Sequence, residues 1–458
     1  MQKFDNFYFK SFNFDKKNLL GYFNYYFDSN DNSGIKEEFE EIVDFKCDFL
    51  ELNIQSKDDA ILDNILFNIH LALGISYYKL FPTRYLFVES GYLDDNQIRF
   101  WEKFYLFGLG EFLIKNEINP NGIINFKNTL LSKKEIKKFN IKSKNILLPW
   151  GGGKDSIVSS ILLDSLDFTP FIFGKLDTIK VNTLKVLGKK PLQIKRSLSK
   201  NLFSLNKKGY YNGHIPITGI IAFISQLVCY LYDYRYTVLS NEKSASEANT
   251  FWHGISINHQ YSKSYEFEKD FNDYVFDYIS EDSKYFSILR GFYEYRIAQI
   301  FSNKAEKYFS SFSSCNKNFF IKSNLKINGN WCNKCEKCCF VYLLLSSFLG
   351  EKELENIFGA NLYKGNELLV TFQELLGFSG NKPYECVGTY KECLFSAYKS
   401  IKYYKKLNLN LPYILKILEK NVVTQVEKVG EKNIELDLLK NYEKNFIPSE
   451  LSFVFNLL

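Results

Sequence analysis

The chain has 458 residues, 46% of them hydrophobic, and this length exceeds what one hydrophobic core usually supports. Two or three domains are therefore expected. The formal net charge of +6 is the small difference between 58 basic and 52 acidic residues spread along the chain. A nucleic-acid-binding protein usually concentrates its basic residues in one patch, so composition does not support a nucleic-acid partner.

The start of the chain has no apolar signal core, and the longest apolar stretches, near residues 219–232 and 340–349, are too short to span a bilayer. Four of the nine cysteines crowd into residues 332–339, which is unlike a secreted disulfide framework. We therefore expect a cytoplasmic protein with no membrane partner and with a metal site in a reducing compartment.

The first part of the chain mixes short aromatic, strand-like runs such as Tyr85–Val88 with helical patterns. The patterns near Asp59–Tyr78 and residues 98–115 predict amphipathic helices. Together they predict a separate N-terminal α+β domain over residues 1–140. A lysine-rich stretch, residues 132–144, leads out of it.

The next element, Ile146-Leu147-Leu148, is typical of a fully buried parallel strand. The alternation that follows predicts a helix at 156–165, a strand at 170–174, a helix at 218–232 and a strand at Tyr236–Leu239. Such a series favours an α/β fold with a doubly wound parallel sheet over residues 141–345. Leu, Lys and Glu at helical spacing predict a mostly helical C-terminal region, residues 346–458.

A glycine-rich turn, Gly151-Gly152-Gly153-Lys154-Asp155-Ser156, joins the buried strand to the next helix. Glycines allow backbone N–H groups to form a concave anion site, and the helix N-terminus adds partial positive charge. Ser156 can donate a hydroxyl to a phosphate oxygen, Lys154 can add a full charge, and Asp155 can cap the helix or hold Mg²⁺. The spacings GxxxxGK[ST] and GxGxxG are both absent. A glycine-rich turn without a ligand is the alternative.

This turn resembles the SGGxDS loop of the ATP pyrophosphatase (PP-loop) superfamily, with Gly151 in place of the usual Ser. The resemblance implies a PP-loop fold in which ATP is split into AMP and pyrophosphate. It also implies that AMP is carried on the substrate as an adenylate. The change at Gly151 removes one hydroxyl from the loop.

A cysteine cluster, Cys332, Cys335 and Cys338, has CxxCxxC spacing, and Cys315 lies 17 residues upstream. Four thiolates suit tetrahedral Zn²⁺. The arrangement resembles the zinc site of the 7-cyano-7-deazaguanine synthases, which implies these four residues as ligands of a structural zinc, with Cys339 as a spare. An iron–sulfur cluster and plain buried cysteines are the alternatives.

Several longer segments resemble the UDP-N-acetylmuramoyl-L-alanyl-L-glutamate epimerases of the MurL type, and the resemblance covers most of the chain. Beside the glycine loop and the cysteine cluster, these segments are residues 71–79 (LALGISYYK), 212–218 (NGHIPIT), 240–247 (SNEKSASE), 258–264 (NHQYSKS), 312–316 (FSSCN) and 382–388 (KPYECVG). Two places depart from the family pattern. Arg290-Gly291-Phe292-Tyr293-Glu294 stands where Arg-Pro-Leu-Ser-Glu is expected, and Thr389 stands where an acidic residue is expected.

This resemblance implies that the terminal L-glutamate of a nucleotide-peptide, UDP-MurNAc-L-Ala-L-Glu, is converted to D-glutamate while ATP becomes AMP and pyrophosphate. An α-hydrogen beside a carboxylate is hard to remove, because the carbanion would face an existing negative charge. An acyl-adenylate behaves like an ester and can delocalise the charge into an enolate. Adenylation is therefore expected to precede proton transfer.

Candidate site residues follow the predicted strand Tyr236–Leu239, because ligands bind at the carboxyl ends of strands in open α/β sheets. Lys243 can neutralise phosphate charge, and Glu242 or Glu247 can bind Mg²⁺ or substrate. A solvated polar loop is the alternative for this segment.

Proton carriers are expected among histidines, since the imidazole titrates near neutrality. His214 and His259 are the candidates, and a structural role is the alternative for each. Cys386 beside Glu385 is another pair, because a thiolate can act as a base, although a lone cysteine is more often a small buried hydrophobe.

Arg290, His259 and Lys263 are predicted to contact the substrate. Arginine's fork can bind the glutamate side-chain carboxylate or the UDP pyrophosphate. Two other functions remain open at this point. One is a different adenylating enzyme, similar to the deazaguanine synthases or to tRNA-thiolating enzymes, and the other is a zinc-stabilised binding module that cleaves no ATP.

Overall fold

The computed structural model describes residues 4–28, 36–131, 135–247, 250–319, 329–380, 383 and 385–457. The strands in this part of the chain are β1 Asn6–Asp15, β2 Leu20–Asp28, β3 Lys36–Asp44, β4 Tyr85–Val88, β5 Asn125–Asn128, β6 Ile146–Pro149, β7 Phe168–Phe173, β8 Leu192–Ser197, β9 Tyr236–Leu239, β10 Thr250–Trp252, β11 Ile255–Ile257 and β12 Lys284–Ser287.

The α-helices of the described residues alternate with these strands and then fill the C-terminal part. They are α1 Asp59–Tyr78, α2 Asp95–Gly108, α3 Gly110–Lys115, α4 Lys154–Leu162, α5 Thr178–Leu187, α6 Lys200–Lys207, α7 Ile217–Tyr232, α8 Tyr265–Tyr278, α9 Glu294–Lys304, α10 Glu336–Leu345, α11 Glu351–Phe358, α12 Leu369–Leu376, α13 Tyr390–Lys406, α14 Tyr413–Val429 and α15 Glu431–Leu439.

Ten of these strands form one sheet, in the order β12-β9-β6-β7-β8-β3-β2-β1-β4-β5. The half from β12 to β8 is entirely parallel. The chain moves outward in one direction from β6 through β7 to β8, and in the other direction through β9 to β12. The strand order therefore reverses between β6 and β9, where open α/β sheets form a crevice for ligands. The predicted α/β fold with a large, mostly parallel sheet is confirmed.

The strands before residue 140 continue the same sheet. β3 pairs antiparallel with β8, with Val43 opposite Arg196, and β2 and β1 follow antiparallel. β4 and β5 then complete the sheet in parallel. The Arg196 guanidinium contacts the buried Glu41 across this seam, with 2.5 Å between Nε and Oε1. The region predicted as an N-terminal domain therefore shares its sheet with the central region.

Two hydrophobic cores cover the two faces of the sheet, because successive strand residues point to opposite faces. Leu147 of β6 belongs to the core formed with α1, α2, α7 and α8. Its neighbours Ile146 and Leu148 belong to the core formed with α9 and the C-terminal helices. The described residues beyond 346 contain helices α11 to α15 and no strand.

Helix α1 has the predicted bounds, but the prediction that it is amphipathic was wrong. Most of its residues are buried, including the polar Asn68 and His70. The helix lies between the sheet and α7, and its polar groups are satisfied internally, as His70 Nδ1 lies 3.0 Å from Ser90 Oγ. Among the described residues α1 alone is long and apolar enough to cross a membrane, and 78% of that apolar window is buried inside the protein.

Other predicted elements shift by a few residues. The strand at Tyr236–Leu239 is confirmed, whereas the helix after the glycine loop begins earlier, at Lys154, because Gly153 forms its N-cap. The single helix predicted over 98–115 is two helices, α2 and α3, separated at Leu109. Helix α2 begins at Asp95 because Asp94 and Gln97 form a capping box.

Candidate active site

A cavity of about 460 Å³ lies at the carboxyl ends of β6, β7 and β9, where the strand order reverses. Its lining contains seven of the residues predicted from sequence, which are Gly151, Gly153, Asp155, Ser156, Glu242, Lys263 and Cys386. Three distant parts of the chain therefore meet here: the glycine loop, the segments after β9, and the segment before α13. The other predicted residues lie beneath the cavity wall or away from it.

The glycine loop has the shape that its sequence predicts. Gly152 adopts a left-handed backbone with φ of +76°, and a Cβ there would come within 2.9 Å of Thr183 Oγ1. Thr183 in turn accepts the Trp150 Nε1 hydrogen at 3.0 Å, which anchors the start of the loop. The loop leads directly into the N-terminus of α4, and residues of the loop and of the first helical turn line the cavity. A helix N-terminus offers free N–H groups and the positive end of the helix dipole to an anion. A Cβ at Gly151 would meet nothing within 4 Å.

Lys154 lies under the loop and does not line the cavity. Its side chain is fully buried and forms ion pairs with Asp155 and Glu294. Burial disfavours the ammonium charge, but Asp155 and Glu294 outweigh it and raise the pKa of Lys154. Burial and repulsion from Asp155 raise the pKa of Glu294, against the effect of Lys154. Lys154 therefore fixes two carboxyl groups, Asp155 and Glu294, that line the cavity.

Lys263 and Cys386 are in contact, and both residues line the cavity. Lys263 Nζ lies 3.2 Å from Cys386 Sγ. Although burial opposes the charge, Cys386 and Glu242 raise the pKa of Lys263, so its ammonium group stays protonated. An ammonium group at this distance is a counter-ion for a thiolate. Of the segment that contains Cys386, Lys382 and Tyr384 lie outside the described residues.

Glu385 lies beside this pair without lining the cavity, and accepts a hydrogen bond from Asn316 Nδ2. Burial and the nearby Glu336 raise the pKa of Glu385 to about 7, while Lys337 opposes the rise. This carboxyl group therefore titrates near neutrality.

Arg290 is buried behind the cavity wall. Its guanidinium pairs with the buried Glu268, with 2.8 Å between Nη2 and Oε2. It also donates to the backbone carbonyls of Glu242 at 2.9 Å and Lys263 at 2.6 Å. Arg290 therefore holds in place the two segments that carry Glu242 and Lys263, and the structure gives it no place among the lining residues.

Three further predicted residues lie outside the lining. Lys243 donates to Tyr293 Oη at 2.8 Å and stacks on the Tyr442 ring, so it points toward the C-terminal part of the chain. His214 Nδ1 lies 3.4 Å from Glu111 Oε2, and burial lowers the pKa of His214. His259 is buried in the loop that leads to Lys263.

The four predicted metal ligands come together. The Sγ atoms of Cys315, Cys332, Cys335 and Cys338 all lie within 4.8 Å of one another, and three of the pairs are at 3.4, 3.7 and 3.9 Å. Four thiolates at about 2.3 Å from a tetrahedral zinc would be about 3.8 Å apart. The cluster can therefore bind a metal. Cys339 is buried in the hydrophobic core instead.

Glu294 and Lys337 line the cavity and were missed by sequence reasoning. A signal existed for Glu294, because it and Arg290 keep the residue types at the two ends of the expected Arg-Pro-Leu-Ser-Glu pattern. Lys337 stands between two predicted metal ligands, Cys335 and Cys338, and the spacing of the cysteines carries no signal for the lysine.

Known families match nearly the whole chain. The MurL N-terminal domain matches residues 1–288, and the MurL C-terminal domain matches residues 311–429. Three relatives are each named UDP-N-acetyl-alpha-D-muramoyl-L-alanyl-L-glutamate epimerase. The protein from Xanthomonas oryzae pv. oryzae is 35% identical over 326 residues, covering 71% of each chain. The Micromonospora protein is 31% identical over 397 residues, 86% of each chain, and the Salinispora tropica protein is 31% identical over 400 residues, 86% of this chain and 84% of its own. No solved structure matches.

Proposed function

The chain belongs to the MurL family, a family of epimerases, and on this premise we propose that it converts the terminal L-glutamate of UDP-MurNAc-L-Ala-L-Glu to D-glutamate through an acyl-adenylate. The proposal depends mainly on one observation: a single cavity is lined both by a loop suited to binding phosphate and by a thiol–ammonium pair suited to proton transfer. The glycine loop at the start of α4 and the Lys263–Cys386 contact both line this cavity.

ATP is the proposed nucleotide, bound in a PP-loop manner. The glycine loop and the α4 N-terminus offer N–H donors for phosphate oxygens, and Ser156 adds a hydroxyl at the cavity wall. Apolar side chains of Phe171 and Ile221 line the same cavity and suit the base. A volume of about 460 Å³ is within the range of ligand pockets.

Two metals complete this proposal. Asp155 and Glu242, both at the cavity wall, would hold Mg²⁺, which prefers carboxylate oxygens and neutralises phosphate charge. The four cysteines would hold a structural Zn²⁺, because four protein ligands leave no open position.

The proposed reaction begins when an oxygen of the substrate's terminal α-carboxylate attacks the α-phosphorus of ATP. The bond from that phosphorus to the bridging oxygen breaks, and pyrophosphate leaves. A base then takes the Cα proton, and its electron pair moves into the acyl group as an enolate. A proton is added to the opposite face, and water attacks the acyl carbon and releases AMP with the inverted carboxylate.

Cys386 is the proposed base on one face of the glutamate. As a thiolate paired with Lys263, it can take the Cα proton, and Lys263 keeps a positive charge beside the developing enolate. The substrate is a soluble nucleotide-peptide, so no nucleic acid or membrane partner is proposed. A cytoplasmic location is proposed because thiol-rich metal sites persist in reducing compartments.

The test is pyrophosphate release from ATP and Mg²⁺ with and without UDP-MurNAc-L-Ala-L-Glu, followed by chiral analysis of the glutamate. We expect release that requires this substrate, together with D-glutamate in the product. Pyrophosphate release without D-glutamate would show ATP cleavage but would contradict the proposed epimerisation.

A further inference from the structure

The segments that carry the metal ligands also form one wall of the cavity. Ser313, Ser314 and Asn316 surround Cys315 and line the cavity, and Lys337 lies between Cys335 and Cys338 and lines it too. A metal with four protein ligands has no open position at which a substrate or water could bind, so it performs no reaction itself. Its position beside the nucleotide cavity therefore calls for another explanation.

The segment around Cys315 packs directly on the glycine loop. The Ser313 backbone N–H donates to the Gly152 carbonyl at 3.3 Å. Ser314 is so close to Gly153 that a Cβ there would come within 3.0 Å of Ser314 Oγ. The Ser313 hydroxyl accepts the backbone N–H of Cys315 at 3.0 Å, which ties this contact to the metal ligand.

Lys337 connects the groups under the glycine loop to the segment that carries Cys386. Its Nζ lies 3.7 Å from Glu294 Oε1, and Glu294 also pairs with Lys154. The same Nζ donates to the backbone carbonyl of Cys386. The Lys337 side chain is only 7% exposed, so this connection is shielded from water.

The first turn of α10 explains why the lysine points away from the metal. Cys335 is the N-cap of the helix and Cys338 lies in its first turn, and residues three apart share one helix face. Lys337 stands about 100° around the helix from Cys338. Two ligands on one face therefore fix the direction in which Lys337 projects.

We propose that Lys337 is a positioning residue for the nucleotide, and that the metal bound by the four cysteines holds it in place. This inference rests on the proposed function. Lys337 sets the positions of Glu294 and of the Cys386 backbone, and the metal keeps both lining segments in register with the glycine loop.

The first experiment compares Lys337→Met and Lys337→Arg with Lys334→Met, an exposed lysine in the same cysteine segment. ATP binding is measured by calorimetry with Mg²⁺ and no acceptor, together with metal content and Tm. We expect Lys337→Met to keep its metal and its Tm but bind ATP about 10- to 100-fold more weakly, as loss of a positioning partner does at other sites. Lys337→Arg should recover most of the binding, and Lys334→Met should match the wild type.

The second experiment removes the metal with a chelator. The metal-free protein is expected to bind ATP at least about tenfold more weakly, with recovery on adding Zn²⁺. If circular dichroism shows that the metal-free protein has unfolded, the inference is judged from the Lys337→Met result alone. Wild-type binding by Lys337→Met, or by folded metal-free protein, overturns this inference. Absence of ATP binding by the metal-loaded wild type would instead contradict the proposed function.

Discussion

Cys386 and Lys263 are 123 residues apart in the chain, yet their side chains are in contact at 3.2 Å. If this thiol takes the Cα proton, Cys386→Ala should lower D-glutamate formation by about 10²- to 10⁴-fold. Pyrophosphate release should continue, because the glycine loop is untouched. Chiral analysis and pyrophosphate release on the same samples check the prediction.

The matched control is Cys47→Ala, because Cys47 is also a free, half-buried cysteine and does not line the cavity. It should leave both measurements at the wild-type level. Equal D-glutamate formation by Cys386→Ala and the wild type would exclude this thiol as the base.

Glu385 should make stability depend on pH. Burial and Glu336 raise its pKa from 4.5 to about 7, and Cys335 and Glu111 add to the rise while Lys337 opposes it. Between these values the folded protein keeps a proton that the unfolded chain has released, so this stabilisation is complete below pH 4.5 and is lost as pH rises through 7. Glu385→Gln should therefore gain stability relative to the wild type across this window, by up to about 3 kcal/mol.

Denaturant unfolding at several pH values measures this difference. The exposed Glu427 supplies the control variant, Glu427→Gln, whose stability relative to the wild type should stay nearly constant. A Glu385→Gln difference that is the same at low and neutral pH would contradict the assignment.

Residue types with a clear local chemistry could be predicted from the sequence, and side-chain direction could not. The glycine loop, the four cysteines, Glu242 and Cys386 are brought to the site or its border. Lys154 and Arg290 carry charge at suitable sequence positions, but each is turned into the protein by a buried carboxylate, Glu294 or Glu268. Those carboxylates lie 140 and 22 residues away, so local pattern could not reveal the pairing.

At the scale of the elements, the β6–loop–α4 unit depends on Gly152. Gly152→Ala would put a residue with a Cβ into the left-handed backbone region, which costs about 1–2 kcal/mol of stability. The new Cβ would also lie only 2.9 Å from Thr183 Oγ1. We expect weaker ATP binding and a lower Tm. Calorimetry and thermal unfolding measure the two effects.

Gly188→Ala is the matched control, since Gly188 has the same φ of +76° but nothing within 4 Å of an added Cβ. It lies at the C-terminus of α5, so it should lower Tm by the backbone effect alone and leave ATP binding unchanged. Weakened ATP binding in Gly188→Ala, or unchanged binding in Gly152→Ala, would contradict the assigned role of the loop.

Strands and helices could be predicted where a local run of apolar residues or a local helix cap marks them. Tyr85–Val88 and Tyr236–Leu239 are strands with the predicted bounds. The prediction failed for the character of α1, because packing between the sheet and α7 buries polar residues that sequence periodicity assigns to a solvent face. Tertiary burial is not encoded in local spacing.

At the scale of the whole molecule, long-range pairing decides where the chemistry lies. The predicted alternation of strands and helices indicated a ligand crevice in the parallel half of the sheet, and the structure places the cavity there. The continuation of that sheet through β3 into the first part of the chain could not be predicted. Neither could the contact of the cysteine segments with the glycine loop, because it joins residues 152 and 313.

The most direct test of ATP-driven epimerisation follows hydrogen at Cα. The protein is incubated in D₂O with UDP-MurNAc-L-Ala-L-Glu, Mg²⁺ and ATP, and the terminal glutamate is recovered for mass spectrometry and chiral analysis. We expect D-glutamate carrying one deuterium at Cα, formed only with ATP and together with AMP and pyrophosphate. D-glutamate formed without ATP, or ATP cleavage that leaves the Cα hydrogen and the L configuration in place, would contradict ATP-driven epimerisation.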